Sequence, residues 1–221
     1  MLLAFDTSSA AVTVALATPA GEIVASSTTV DALRHGELLA PAIAAALEKA
    51  GITARDLTGI AVGVGPGPFT GLRVGLVTAR TMADVLGIEV SGVCSLDILA
   101  HQASLSLPVA VATDARRKEI YWALYDGPAA DGSRRRLEGP AVDKPADVAH
   151  VLAGLPVIGR GAVLYGETLG LPAGDVIEYP SAEVLATGVA NGTLDVVPPE
   201  PLYLRRPDVT LSGGPKSVLP Q

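Results

Sequence analysis

Along residues 57–64, Ile60, Val62 and Val64 alternate with small residues, the pattern of a strand buried between two layers. The loop Gly63-Val64-Gly65-Pro66-Gly67-Pro68-Phe69-Thr70-Gly71-Leu72-Arg73 interrupts it, and beyond the loop the period lengthens. Leu72, Leu76, Ala79, Ala83 and Leu86 fall on one helical stripe, with Thr70 placed to cap its start and Gly87 to end it. A loop between a central strand and a helix N-terminus is where open α/β sheets present ligands or partners. A second pattern runs along the same helix: Gly71, Gly75, Ala79 and Ala83 recur every four residues. An interior glycine costs about 1 kcal/mol relative to alanine, so close approach by another element is expected to offset it, whether from this chain or from another subunit.

Upstream, a buried strand at 2–5 ends in the turn Asp6-Thr7-Ser8-Ser9, and strands at 11–17 and 22–29 complete a meander. A helix is predicted within 35–50, with Leu39, Ile43, Leu47 and Ala50 on one face, Gly51 at its end, and Pro41 tolerable only near its start. A strand at 88–93 and a helix near 96–102 follow. The order then restarts: Leu3-Ala4-Phe5-Asp6 aligns with Val111-Ala112-Thr113-Asp114, and Val12 with Ile120, both at an offset of 108 residues (114 − 6 and 120 − 12). An internal duplication is the economical reading. The second copy continues with a strand near 137–142, a helix after Pro145, a strand at Val157-Ile158, the segment Gly159-Arg160-Gly161-Ala162 and a helix near 182–189. The chain is thus divided into a half at 1–105, a reduced half at 106–206, and a tail at 207–221 expected to be disordered. Paired across a cleft, the halves would bring Asp6, Asp114 and Gly159-Arg160-Gly161 to one opening.

Mean hydropathy is +0.42, yet the apolar residues are dispersed, with no run of about 20 that could span a bilayer. Asp6 interrupts the N-terminus before a signal-peptide core can form, so a cytoplasmic, membrane-free chain is expected. Cys94 is the single cysteine, which excludes an internal disulfide and reads as a buried structural thiol. At a net charge of −7 the chain is a poor stand-alone nucleic-acid binder, and Arg116-Arg117-Lys118 and Arg134-Arg135-Arg136 read as solvated turns.

The loop's chemistry is restrictive. Pro66 and Pro68 remove two backbone donors, leaving Gly65, Gly67, Phe69, Thr70 and Gly71 to meet an anion, and the P-loop lysine is absent. Anion binding and a rigid turn without ligand remain equal readings, with Asp6, Thr7, Ser8, Gly65, Gly67, Thr70 and Arg73 as the nucleotide-proximal candidates. Metal-assisted chemistry would need paired histidines, whereas His35, His101 and His150 are isolated in sequence.

Several segments in order resemble the bacterial TsaB (YeaZ) family: Phe5-Asp6-Thr7-Ser8, Arg34-His35-x-Glu37-Leu38-Leu39-x-Pro41, Gly65-Pro66-Gly67-Pro68-Phe69-Thr70-Gly71-Leu72-Arg73-x-Gly75, Asp114-Ala115-Arg116-Arg117-x-Glu119-x-Tyr121 and Pro201-x-Tyr203-Leu204-Arg205. The resemblance implies the duplicated actin/hexokinase/Hsp70-like (ASKHA) α/β fold, two β-β-β-α-β-α halves with the second reduced. It also implies a non-catalytic subunit in the synthesis of N6-threonylcarbamoyladenosine at tRNA position 37. Its partners would be a TsaD-type transferase and a TsaE-type ATPase, with a homodimer when alone and tRNA met only through the complex. No cofactor is expected for the isolated chain, ATP and Mg²⁺ belonging to the assembly. Gly36 and Pro68 stand where the family frequently has serine, and Pro68 weakens phosphate binding by the loop. His35, Glu37, Leu39, Ile43, Gly71, Gly75, Ala79 and Ala83 are the expected partner interface. The competing expectations are an ATP-binding enzyme of the same fold and a metalloprotease-like hydrolase.

Overall fold

The computed structural model describes residues 1–171 and 177–205. The first half is built on a five-stranded sheet ordered β3-β2-β1-β4-β5, from β1 (Leu2–Asp6), β2 (Ala11–Ala17), β3 (Ile23–Val30), β4 (Gly59–Gly63) and β5 (Glu89–Val93). β1 is central, antiparallel to β2 and parallel to β4. One face carries α1 (His35–Ala50) and α2 (Phe69–Leu86), whose Leu39, Ile43, Leu76 and Ala79 close over Leu3, Phe5, Val14 and Val62.

Both helices depart from the predicted ends. α2 starts at Phe69 with Pro68 in the N-cap position and no side-chain cap, so Thr70 lies in the first turn and is not the cap. Pro68 fixes the φ at which the chain enters the helix but has no side-chain oxygen to accept from the first-turn N–H groups. α1 starts at His35 and runs through Pro41 rather than beginning beside it. Pro41 and Glu37 both face solvent, so the carbonyl that loses its partner can be hydrated. Gly51 and Gly87 end the helices in the left-handed conformation, as predicted.

The second sheet, β8-β7-β6-β9, repeats the order β3-β2-β1-β4 with β6 (Val109–Asp114), β7 (Ile120–Tyr125), β8 (Arg136–Asp143) and β9 (Val157–Ile158). The duplication read from the 108-residue offset is therefore structural, since β6 and β7 take the places of β1 and β2. β9 has only two residues, and among the described residues no fifth strand follows it. α4 (Pro145–Leu152) and α5 (Arg160–Leu169) cover one face. The segment Gly159-Arg160-Gly161-Ala162 is the entry into α5, with Gly159 in the N-cap position.

The halves exchange their flanking helices. α3 (Ser95–Gln102) follows the first sheet in sequence, yet Leu96, Leu99 and Ala100 pack against Val109, Val111 and Tyr125 of the second. In return α6 (Ala182–Ala190) buries Leu185 and Ala186 against Ala4, Ala15 and Ala61 of the first. The chain then runs along β5, where Gly92 and Val197 exchange backbone hydrogen bonds of 2.9 and 2.8 Å, and Leu202 N donates to Val64 O at 2.8 Å. A cut between residues 105 and 106 thus separates the sheets but not the packing. The expected tail at 207–221 lies outside the described residues.

Candidate functional site between the halves

The C-terminal end of β1 delivers Asp6 to a buried position beneath Ser8 and Ser95, where it is 1% exposed. Ser8 donates to its Oδ1 from the backbone N at 2.8 Å and from Oγ at 2.7 Å, and Ser95 Oγ donates to Oδ2 at 2.5 Å. Ser95 Oγ in turn accepts from Gly65 N at 3.1 Å. One carboxylate therefore ties the β1–β2 turn, the glycine loop and the start of α3 together. Burial pushes its pKa up from 3.8, against the lowering effect of the serine donors. Gly63 is required here, because a Cβ would lie 1.8 Å from Asp6 Oδ2.

The small-residue ridge of α2 meets this same turn. A Cβ on Gly67 would come within 2.0 Å of Ser8 O, one on Gly71 within 2.4 Å of Thr7 O, and one on Gly75 within 2.5 Å of Thr7 Oγ1. Thr7 Oγ1 donates to Gly71 O at 2.8 Å. The element that approaches closely is thus the β1–β2 turn of the same chain, and not a helix of a partner. Ala79 and Ala83 continue the ridge into the core, as do His35, Leu39 and Ile43 on α1. These buried residues lie away from the outside of the helices and offer no contact surface for the expected interface. Of the interface set only Glu37 is exposed. Gly65 and Gly67 are buried too, leaving Thr70 and Arg73 as the exposed members of the anion-loop set.

Asp114 occupies the matching position at the end of β6. Its Oδ1 accepts from Arg116 N at 2.8 Å, and its Oδ2 lies 3.9 Å from Arg116 Nε. It lines a cavity of about 300 Å³ with Ser8, Ser9, Ser95, Thr113, Arg160 and Tyr179. Asp114 and Arg160 therefore do meet at one opening, as the repeat implied, but Asp6 is sealed behind Ser8 and Ser95 and does not line it. Arg160 is held by Glu178 at 2.5 Å, and Thr113 Oγ1 is buried without a hydrogen-bond partner among the described residues.

The histidines do not converge. His35 Nε2 is 2.7 Å from Ser9 O, while His101 bridges Asp97 O and Thr193 O at 2.8 Å each. His150 lies exposed near the end of α4. Among the described residues no group of three or more His, Cys, Asp or Glu side chains gathers as a metal site.

The basic run 134–136 is corrected as well. Arg134 is buried, its guanidinium donating to the carbonyls of Ala103, Leu105, Leu107 and Asp126. Arg136 pairs with Asp97 at 3.2 Å, and Asp97 also accepts from Tyr125 Oη at 2.6 Å. Burial raises the Asp97 carboxyl and pushes the neighbouring Cys94 thiol up to about 12, consistent with a structural thiol. Only Arg135 is a solvated member, its side chain 77% exposed.

Sequence reasoning missed Ser95, which locks Asp6 from 89 residues away, and the pairing of Phe69 with Tyr203. A serine opening a helix carries no signal of a partner so distant in sequence. Phe69 and Tyr203 both lay within quoted motifs, but nothing local links two aromatic residues that far apart.

Comparison with known proteins places this geometry in a lineage. The family model "TsaD: tRNA N6-adenosine threonylcarbamoyltransferase" matches residues 22–197. The Escherichia coli tRNA threonylcarbamoyladenosine biosynthesis protein TsaB is 30% identical over 190 residues, covering 77% of this chain and 80% of that protein. The chain belongs to the TsaB (YeaZ) family. A Pseudomonas aeruginosa crystal structure, described as an uncharacterized protein with similarity to peptidase YEAZ, superposes with a TM-score of 0.76 at 33% identity, over 92% of this chain and 99% of that one. An uncharacterized protein of Mycobacterium leprae is 42% identical over 215 residues. That match covers 94% of this chain, which spans 55% of the longer relative. The family's duplicated ASKHA-like fold accounts for the repeated strand order.

Proposed function

We propose that this chain is the non-catalytic subunit of the bacterial apparatus that makes N6-threonylcarbamoyladenosine at position 37 of tRNA, binding a TsaD-type transferase that a TsaE-type ATPase joins. The observation that carries the reading is the sealed Asp6: the carboxylate at the end of the central strand has both oxygens engaged by Ser8 and Ser95. A general base or metal ligand must reach substrate or ion within hydrogen-bond or coordination distance, and this one cannot without breaking the turn. The relatives named as TsaB supply the pathway. Fold likeness alone would not, since one fold hosts many activities.

The partner surface we assign is the outward side of α1 and α2. There Gly36, Ala40, Ala44 and Ala45 form a shallow, small-residue face on α1, and Val77 and Val85 stand 61% and 81% exposed on α2. Exposed apolar residues beside small ones suit close helix packing by a second copy or by the transferase. In this reading the chain works in the cytoplasm, meets tRNA as part of the complex, and takes no cofactor by itself, ATP and Mg²⁺ belonging to the assembly.

One observation favours a second reading, an ATP-binding enzyme: the 300 Å³ cavity with Asp114, Arg160 and the unpartnered Thr113 hydroxyl on its wall. A thermal-shift titration of the lone chain with millimolar Mg-ATP separates the two. Ligand at a hundredfold excess over its dissociation constant stabilises the native state by about 2.7 kcal/mol, so a large saturable shift, lost in Asp114→Asn, would support the enzyme reading, and no shift the subunit. For the hydrolase alternative the three histidines supply no shared centre.

A further inference from the structure

We propose that the outer rim of the cleft, where Phe69, Arg73, Arg116, Tyr203 and Arg205 converge and Lys118 adjoins in the same turn as Arg116, is a contact surface for tRNA. The proposal rests on the reading above and adds to it a contact made by this subunit itself. Phe69 and Tyr203 stack with centroids 4.9 Å apart at 27°, and the Arg73 guanidinium lies 3.7 Å from the Phe69 ring centre. Both rings remain more than one-third exposed. A pocket of about 240 Å³ opens beside them, lined by Phe69, Tyr203, Arg116, Tyr121 and Arg205.

The charge distribution is the independent observation. The chain carries −7 overall with 16 lysines and arginines, yet Arg73, Arg116, Arg117, Lys118 and Arg205 gather around this one pocket, or close by it in the same turn. Asp114 and Glu119 pair with Arg116 and Arg205. Even with Arg117 left out of the balance, Arg73 and Lys118 keep the rim positive on an acidic protein, a local feature that composition conceals.

The backbone displays that charge outward. Arg116, Arg117 and Lys118 take φ of 63, 52 and 62°, a left-handed run that non-glycine residues rarely adopt. Glu119 N donates to Arg116 O at 3.0 Å and Ala115 N to Glu119 O at 3.0 Å, closing the β6–β7 turn with three cationic residues at its exposed tip. Glycine or asparagine would fit such a turn with less strain. Strained backbone held in place by its surroundings is a pointer to function.

Phe69 is already engaged by Tyr203 and by the Arg73 guanidinium, so it is the outward face of Tyr203 that a further ring can meet. An exposed aromatic face among cations matches single-stranded RNA, whose bases stack on rings while phosphates meet the cations. An acidic peptide would satisfy the cations but leave the Tyr203 face without a counterpart.

The test uses the chain assembled with its TsaD-type subunit and unmodified tRNA, titrated across salt concentrations. Arg116→Glu with Lys118→Glu is the charge variant, Arg116→Lys the conservative control, and Tyr203→Ala probes stacking. The charge variant is expected to lose at least tenfold in tRNA affinity and to lower the log–log salt slope by about 2, with Arg116→Lys near wild type. Tyr203→Ala is expected to weaken binding with the slope unchanged. Association with the TsaD-type subunit, measured separately by calorimetry, should not move. Unchanged tRNA affinity and slope in an intact complex overturns the proposal, as does loss of the subunit itself, which would make the rim a protein contact. Should the wild-type chain fail to bind the transferase, the subunit reading falls. The same tRNA titrations of wild type and charge variant alone then decide the rim.

Discussion

The same turn is built twice in this molecule and put to different use. In the first half Ser8 N donates to Asp6 at 2.8 Å, and in the second Arg116 N donates to Asp114 at 2.8 Å, each two residues beyond a central strand. The difference lies in what covers the second oxygen. Ser95, brought by α3, closes over Asp6, whereas the second oxygen of Asp114 lies 3.9 Å from Arg116 and its side chain faces the cavity. Duplication thus preserved the backbone device while its surroundings turned one carboxylate into a structural clamp and left the other at an open rim. Of the two matched carboxylates, Asp114 faces the cleft and Asp6 is closed off from it.

The contrast can be broken most severely at the clamp's packing. Gly67→Ala forces a Cβ to within 2.0 Å of Ser8 O, a backbone atom that cannot rotate away, so a loss of about 3 kcal/mol is expected. Gly36→Ala on the exposed side of α1 meets nothing within 4 Å and should instead stabilise by about 0.5–1 kcal/mol. Urea midpoints at constant m-value measure both.

Next in size is the pair of aspartates. Asp6→Asn leaves buried serine donors mispaired and should cost about 2 kcal/mol, whereas Asp114→Asn on the rim should stay within about 0.5 kcal/mol. Asp6 also sharpens the comparison through pH. Burial raises its folded pKa above 3.8, so the folded chain holds that proton more tightly than the unfolded one. Its contribution is fully present below the unfolded value and is lost as pH rises through the folded one. The stability gap between wild type and Asp6→Asn should therefore narrow from below pH 4 toward neutrality, and a constant gap would contradict the assignment.

Smaller effects are expected where the halves are tied together. Arg136→Ala leaves the buried Asp97 without its cation and should cost about 1.5 kcal/mol. Arg135→Ala, removing an exposed pair with Asp126, should cost no more than about 0.5 kcal/mol. Equal effects in thermal unfolding would mean that the basic run behaves as the uniform solvated turn its sequence implied.

Those neighbouring arginines illustrate what the sequence made legible. Periodicity and glycine placement located α1, α2 and both sheets, because strand alternation and left-handed helix ends are local properties. The 108-residue offset located the duplication and paired Asp6 with Asp114. What stayed hidden was the identity of partners far along the chain. The α2 ridge was legible, but Thr7, which fills it, lies 64 residues from its hydrogen-bond acceptor Gly71. Likewise nothing local announces that α3 and α6 cover each other's sheets, or that Arg134 turns inward to four carbonyls while Arg135 turns out. The Phe69–Tyr203 stack was illegible for the same reason.

The central claim is that a chain with its first-half carboxylate clamped serves a transferase without performing the transfer. A single-turnover assay with this chain, tRNA and threonylcarbamoyl-adenylate, run with and without the TsaD-type subunit, tests it most directly. The account predicts no modified tRNA without the transferase subunit and full modification with it, whether the chain carries Asp114 or Asn at that position. Modified tRNA formed by the chain alone would contradict it.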